Sequence, residues 1–409
     1  MNHPIYNRRA FIKAGIALAA TPWTNVWAEP LVIGKDPKAQ RTLILLELNG
    51  GNDGLSTVIP LRDSNYKKFR ANALVEPKDA IELDPAHGLN PNLKRMASSF
   101  KNGQMAIVES VGLPNRIRSH FKATDIWHSA DPERASAAPG WIASLGDVAW
   151  RKRGSEAVVH FGSNPLGAHQ SATRSFLAIE NPNHFALLGN GPDNFQKVKA
   201  KGKARKNKVG VGQNAALDRI REVQGRARHE SLRIRAATAG YRSSVVYPKT
   251  PLGRNMRDIA ALMNIPEGPP PRVLSTTYGG FDTHARQKGL HDRLMVGLDD
   301  ALGAFMEDLA RTPIGRNAVV LVYSEFGRRV QENGSQGTDH GKGGPSFVFG
   351  HNIVGGFYGQ APDLAKLDDG DVKFTTDFRS LYSTLIEDLF DCDSKRILRA
   401  SIPKLGFLG

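Results

Sequence analysis

TLILLELNGGNDG, residues 42–54, decides the fold. Its first seven residues form a run of strand length with only Thr42 and Glu47 polar, and it ends in a loop holding Gly50, Gly51 and Gly54. A near-continuous apolar run of this kind suits a strand covered on both faces, as in a parallel sheet. Four more short runs resemble it: 105–111 (MAIVESV), 272–277 (RVLSTT), 318–323 (AVVLVY) and 345–349 (PSFVF). Between two of them Leu290, Leu294, Leu298, Leu302, Phe305 and Leu309 recur at spacings of four and three, with Asp292, Asp299 and Glu307 on other faces, which predicts an amphipathic helix. Strand, helix, strand is the βαβ unit, and its repetition predicts an open, mostly parallel α/β sheet. Residues 377–389 (DFRSLYSTLIEDL) predict a further amphipathic helix, and no internal repeat is present.

A chain of 409 residues is long enough for one large α/β domain or for two or three smaller ones. With 40% apolar and 23% charged residues, disorder, collagen and coiled coil are excluded as descriptions of the whole. Cys392 stands alone, which excludes an internal disulfide and a cysteine-based zinc site. The net charge of +15 is local rather than global. Residues 1–28 hold Arg8, Arg9 and Lys13 and no acid, while 197–242 hold fourteen Lys and Arg against Asp218, Glu222 and Glu230. The rest of the chain is close to neutral. Within the insert over about 189–242, KVKAKGKARKNK (197–208) carries seven basic residues in twelve and predicts a solvated, self-repelling loop. Its basic residues are not interleaved with stacking aromatics, so no nucleic-acid partner is expected. An anionic surface of lipid headgroups or polysaccharide fits it better.

The head of the chain reads as an address. NRRAFIK (7–13) precedes the apolar run 14–20 and Val26-Trp27-Ala28, the layout of a secretory signal whose apolar middle is too short to span a bilayer. Consecutive Arg8 and Arg9 resemble the twin-arginine signal. The twin-arginine translocation machinery is therefore an expected partner, and a periplasmic or otherwise exported mature protein, a single domain over 29–409, is expected.

In an open parallel sheet, ligands bind beyond the carboxyl ends of the strands. There the densest polar motifs lie. NGGNDG (49–54) brings Asp53 to a strand end, either for a ligand or to satisfy turn amides. PNRIRSH (114–120) places Ser119 at a predicted helix start, where it is a nucleophile candidate or an N-cap, and His120 is a base, a ligand or a packed surface residue. In YGGFDTH (278–284), Asp282 and His284 are two apart in an extended loop, so both can reach one metal ion. SEFGRR (324–329) offers Glu325 as a ligand and Arg328 as an anion grip, or a simple ion pair of the two. GTDHGKGG (337–344) holds Asp339 and His340 in a glycine-rich loop, which is poor packing material and good ligand material. The context of the remaining histidines, among them His87, His128, His160, His169 and His291, does not raise them above ordinary residues.

LILLELNGGNDGLSTVIP, RIRSHFKATDIW, GGFDTH, VVLVYSEFGRR and GTDHGKGGPSFVFG, in this order behind a twin-arginine leader, resemble the bacterial exported family known as domain of unknown function 1501. That family is similar to a distant branch of the alkaline phosphatase and sulfatase superfamily. The resemblance implies a three-layer α/β/α sandwich with a divalent metal (Zn, Mn, Ca or Mg) at the strand ends. By position it implies Ser119 as nucleophile and Asp53, Asp282, His284, Glu325 and His340 as ligands; the glycine-rich loop, apart from the resemblance, offers Asp339 as a further ligand. Asn49 stands where the superfamily has its first-strand Asp, and Phe326 where it has a histidine.

Two functions follow as expectations. One is an exported, metal-dependent hydrolase of a small anionic ester, phosphate or sulfate, in which Arg118, Arg328 and Lys342 neutralise the oxyanion. The other is a non-catalytic envelope protein that binds a ligand with the same strand-end loops.

Overall fold

The expected strand at the head of the fold is β1 (Thr42–Asn49), seven of whose eight residues are buried. The structure, a computed structural model, describes residues 41–409 other than 115–116, 134–137, 152, 154, 171–175, 183–228 and 267. The predicted leader over 1–28, the basic run 197–208 and most of the insert over 189–242 lie outside the described residues, although 229–240 is helical.

The further strands are β2 (Val58–Pro60), β3 (Ile81–Glu82), β4 (His87–Leu89), β5 (Met105–Gly112), β6 (Val158–Phe161), β7 (Leu177–Ile179), β8 (Val273–Gly279), β9 (Ala318–Tyr323), β10 (Gly344–Gly350), β11 (Gly356–Tyr358) and β12 (Thr376–Asp377). Nine of them form one sheet in the order β11-β5-β10-β9-β1-β8-β6-β7, with β12 also on β5; β2, β4 and β3 form a small second sheet. Every pairing in the large sheet is parallel except those of β10, which runs against both β5 and β9.

The helices that cover the sheet are α1 (Lys94–Lys101), α2 (His120–Ser129), α3 (Trp141–Ala149), α4 (Pro251–Met263), α5 (Gln287–Ala310) and α6 (Arg379–Thr384). Alternation along β1 divides them into two layers. Ile44, Leu46 and Leu48 pack with Met256 and Ile259 of α4 and Leu298 and Leu302 of α5. Leu43 and Leu45 join a core with Trp127 of α2, Trp141 of α3 and Tyr382 of α6. The result is the three-layer α/β/α sandwich with a mostly parallel sheet. The leucine periodicity becomes the 24-residue α5. The helix predicted over 377–389 is shorter, because α6 gives way to a π-turn at Leu385–Leu389. Among the described residues no helix is long and apolar enough to cross a membrane.

The reversed direction of β10 has a consequence for chemistry. A loop entering an antiparallel strand reaches the same sheet edge as the loops that leave parallel strands. The loops after β1, β5, β8 and β9 and the loop before β10 therefore meet at one edge.

Candidate metal centre

Asp282 and His284 come from the loop after β8, His120 is the first residue of α2 in the connection after β5, and His340 precedes β10. The Oδ1 atom of Asp282 lies 3.1 Å from Nε2 of His340, 3.0 Å from Nε2 of His284 and 3.4 Å from Nε2 of His120. His340 Nε2 is in turn 3.0 Å from that of His120 and 2.9 Å from that of His284. The potential ligand atoms of His120, Asp282 and His340 all lie within 4.8 Å of one another.

The other nitrogen of each ring is held by an oxygen. His120 Nδ1 donates to Glu325 Oε1 at 2.7 Å, His340 Nδ1 to the carbonyl of Arg118 at 2.7 Å, and His284 Nδ1 to Asp339 Oδ1 at 3.2 Å. With Nδ1–H so engaged, each imidazole presents a lone pair at Nε2. Three lone pairs and a carboxylate oxygen at about 3 Å repel one another unless a proton or a cation lies among them. Ligand atoms at about 2.0–2.1 Å from a tetrahedral zinc stand about 3.3 Å apart, close to the spacing here. The donor set fits a divalent cation.

Its electrostatics agree. Burial works against ionisation of Asp282, but the hydrogen bond and charge of Arg328 outweigh it and hold the carboxyl well below the usual carboxylate range. The hydrogen bond to Glu325, reinforced by its charge, raises the proton affinity of His120. The same bond raises its basicity toward a metal ion.

Two glycines and one arginine build the frame. Gly50 has φ +119°, and a side chain there would collide with the backbone of Phe281 and Asp282. Its N–H donates to Glu325 Oε1 at 2.9 Å, so β1 and the loop after β9 are tied together. Gly51, φ +75°, leaves room for the ring of Phe326. Arg328 is fully buried and donates to the carbonyls of Gly50, Gly51, Phe281 and Thr338 as well as to Asp282 at 2.6 Å. It pulls three loops onto one guanidinium.

Several predicted site residues take other places. Asp53 is buried and engaged by Arg70, Ser56 and Gln287, so it stays outside the cluster; Arg70 lies seventeen positions on and overrides what the strand-end position suggested. Burial opposes its ionisation, and the charge of Arg70 overcomes this, holding Asp53 far below its ordinary value. Glu325 faces His120 from behind rather than the convergence point, and Asp339 does the same for His284. Arg328 pairs with Asp282 rather than with Glu325 and is a scaffold, with no solvent-facing grip to offer an anion. The side chain of Arg118 pairs with Asp371 at 2.8 Å. Ser119 is exposed and makes no side-chain cap bond to α2. It stands between Arg118, whose carbonyl holds His340, and His120, so the segment 118–120 wraps the cluster. His120 itself is the member that sequence reasoning left unassigned.

Fold and site define a three-layer α/β protein with a histidine–carboxylate centre at the edge where the loops meet. The chain belongs to the family described as "Protein of unknown function (DUF1501)", whose model matches residues 95–398. No curated protein matches it. Among solved structures it is similar to Ps i-CgsB, with 9% identity and a TM-score of 0.41 over 89% of this chain and 74% of that one. It is also similar to a 2-O GAG sulfatase, with 9% identity and a TM-score of 0.38 over 89% and 71%. The lipoteichoic acid synthase LtaP from Listeria monocytogenes matches at 9% identity and a TM-score of 0.39 over 83% and 75%. Likeness at this level fixes neither activity nor substrate.

Proposed function

We propose that this protein is an exported hydrolase of an anionic ester, phosphate or sulfate, that works with a divalent cation held by His120, His284, His340 and Asp282. The convergence of three imidazole Nε2 atoms on one carboxylate oxygen carries this reading. Three nitrogen donors favour zinc over manganese, calcium and magnesium, which prefer oxygen ligands. A cation bound there would polarise an ester oxygen and lower the pKa of an attacking hydroxyl.

The chain's own groups supply the rest. Glu325 and the Arg118 carbonyl keep His120 and His340 in the tautomer that offers Nε2, and Arg328 fixes Asp282 against rotation. Ser119, beside His120 at the start of a ten-residue helix, is the proposed nucleophile; the free amides of that first turn favour a developing negative charge. The twin arginines Arg8 and Arg9 support export through the twin-arginine machinery, and the run 197–208 supports contact with an anionic surface.

One observation favours the second reading, an envelope protein that binds a ligand without turnover. The cations nearest the site in sequence are already on carboxylates: Arg118 on Asp371, Arg329 on Asp371 at 3.7 Å and Lys342 on Asp368. Assaying the metal-loaded full chain on 4-nitrophenyl phosphate and 4-nitrophenyl sulfate separates the two. The hydrolase reading expects turnover that EDTA and His340→Ala abolish and that Ser119→Ala lowers. Stoichiometric metal without turnover on either ester would support the binder and overturn the hydrolase.

A further inference from the structure

A second constellation lies away from the metal centre, on the small sheet. His87 of β4 is fixed on two sides: its Nδ1 donates to Asp84, whose two carboxylate oxygens both lie at 2.9 Å, and its ring stacks on Phe357 at 4.2 Å. This leaves the Nε2 lone pair facing Oε1 of Glu109 at 3.4 Å. Glu109 is only 4% exposed, and no lysine or arginine is paired with it among the described residues. Burial, with the charge of Asp84 nearby, pushes its carboxyl up to about 7.

The main chain turns Glu109 out of the sheet on purpose. Between the pairs Ser346–Val108 and Gly344–Val111 the register of β10 and β5 shifts, so Glu109 and Ser110 together oppose Pro345. Ser110 has φ +49°, left-handed for a residue other than glycine. Proline, which has no N–H, faces the bulge without a lost hydrogen bond. Bulges re-aim side chains, and this one aims a carboxyl into a cavity.

That cavity has a volume of about 150 Å³ and is lined by His87, Glu109, Val58, Pro60, Pro345 and Val372, among others. A cavity of roughly this size takes up a benzene molecule. Exposed Arg62, Ala86 and Ala361 form its mouth. Of its other charged walls, Asp63 accepts from the backbone of Asn65 and Leu364, Arg328 is spent on the strand-end carbonyls and Asp282, and Arg62 is exposed to solvent at the mouth. Glu109 and His87 are thus two inward-facing acceptors in a mostly apolar chamber, where the hydroxyl of Ser110 is already spent on the carbonyl of Gln360.

We propose that this cavity is a binding site for a compact primary amine, its ammonium group donating to the Glu109 carboxylate and His87 Nε2 and its apolar body lying against Val58, Pro60, Pro345 and Val372. A neutral ligand of the same shape cannot supply the donors and charge that both acceptors require. The site is independent of the metal centre and of the hydrolase reading.

Calorimetric titration of the full chain with benzylamine, and with benzyl alcohol as the neutral match, tests it. EDTA is present so that amine coordination at the metal centre does not contribute. Benzylamine is expected to bind one to one and at least about tenfold more tightly than benzyl alcohol, and Glu109→Gln to erase that preference. Val58→Phe, which fills the chamber without touching either acceptor, is expected to abolish binding of both. Equal affinities for amine and alcohol, no binding of benzylamine at millimolar concentration, or an unchanged preference in a folded Glu109→Gln protein would overturn the proposal.

Discussion

Among the described residues two groups of three histidines and a carboxylate stand out, and they are built in opposite ways. At the strand-end edge, His120, His284 and His340 spend their Nδ1 atoms on oxygens and turn their Nε2 atoms toward Asp282. Beneath it, between the sheet and the layer of α2 and α3, His128 bonds Glu47, and His160 and His169 meet on the hydroxyl of Ser275. There the partners are mostly taken in pairs. His128 Nε2 donates to Glu47 at 2.8 Å while its Nδ1 accepts from the N–H of Gly167. Tyr323 also donates to Glu47. His160 Nδ1 meets the hydroxyl of Ser275 at 2.9 Å, and His169 Nε2 approaches the same hydroxyl at 3.4 Å. Similar residue types give a centre open to an ion in one case and a closed polar core in the other. Convergence of lone pairs, rather than histidine content, marks the functional cluster.

The contrast breaks most sharply by exchange of defects. His340→Ala is expected to eliminate divalent-metal binding while leaving the denaturant midpoint of the metal-free chain nearly unchanged, since the ring is partly exposed. Glu47→Leu should do the reverse: it strands the N–H of His128 and the hydroxyl of Tyr323 and costs about 3 kcal/mol in urea unfolding, with metal stoichiometry retained. If Glu47→Leu emptied the centre, the two clusters would be one unit.

A smaller effect sharpens the roles inside the upper cluster. Glu325→Gln keeps the shape but weakens the acceptor behind His120, and it should lower metal affinity about 10–100-fold without abolishing binding. Isothermal titration with zinc reads this directly. Complete loss of binding would make Glu325 a ligand in its own right.

The mildest test is pH. Burial lowers His160 from 6.5 to about 4, and it lowers His169 in the same direction. Below 6.5 the unfolded chain binds protons that these folded rings refuse, so stability falls as pH drops from about 6.5 toward 4 and is fully present above that window. Each such histidine contributes a slope of about 1.4 kcal/mol per pH unit. His160→Gln should flatten the urea-derived stability profile of the metal-free chain between pH 6 and pH 4.5 by about that amount. An unchanged profile would mean that the lower cluster is hydrated or already charged.

The sheet is legible in the sequence because strands covered on both faces leave uninterrupted apolar runs, and 42–48, 105–111 and 318–323 match β1, β5 and β9 within a residue at their ends. The reversal of β10 is not legible, since PSFVF is equally apolar in either direction. Asp282, His284 and His340 stand out because glycine-rich loops after or before strands are poor places to bury polar groups. His120 does not, since one histidine at a helix start is ordinary. Its position after β5, at the edge where the other ligands gather, is the signal that finds it. Asp53 misleads for the opposite reason: the local pattern is right, but Arg70 captures it from across a loop. Glu109 and His87 are invisible to local pattern because a bulge and a second sheet bring them together.

Elemental analysis of the full chain, purified without chelator after zinc loading, tests the central claim most directly. One divalent ion per chain is expected in the wild type, one in Glu47→Leu and none in His340→Ala. A wild-type protein that binds no divalent ion, or a His340→Ala protein that binds as much as the wild type, would contradict that claim.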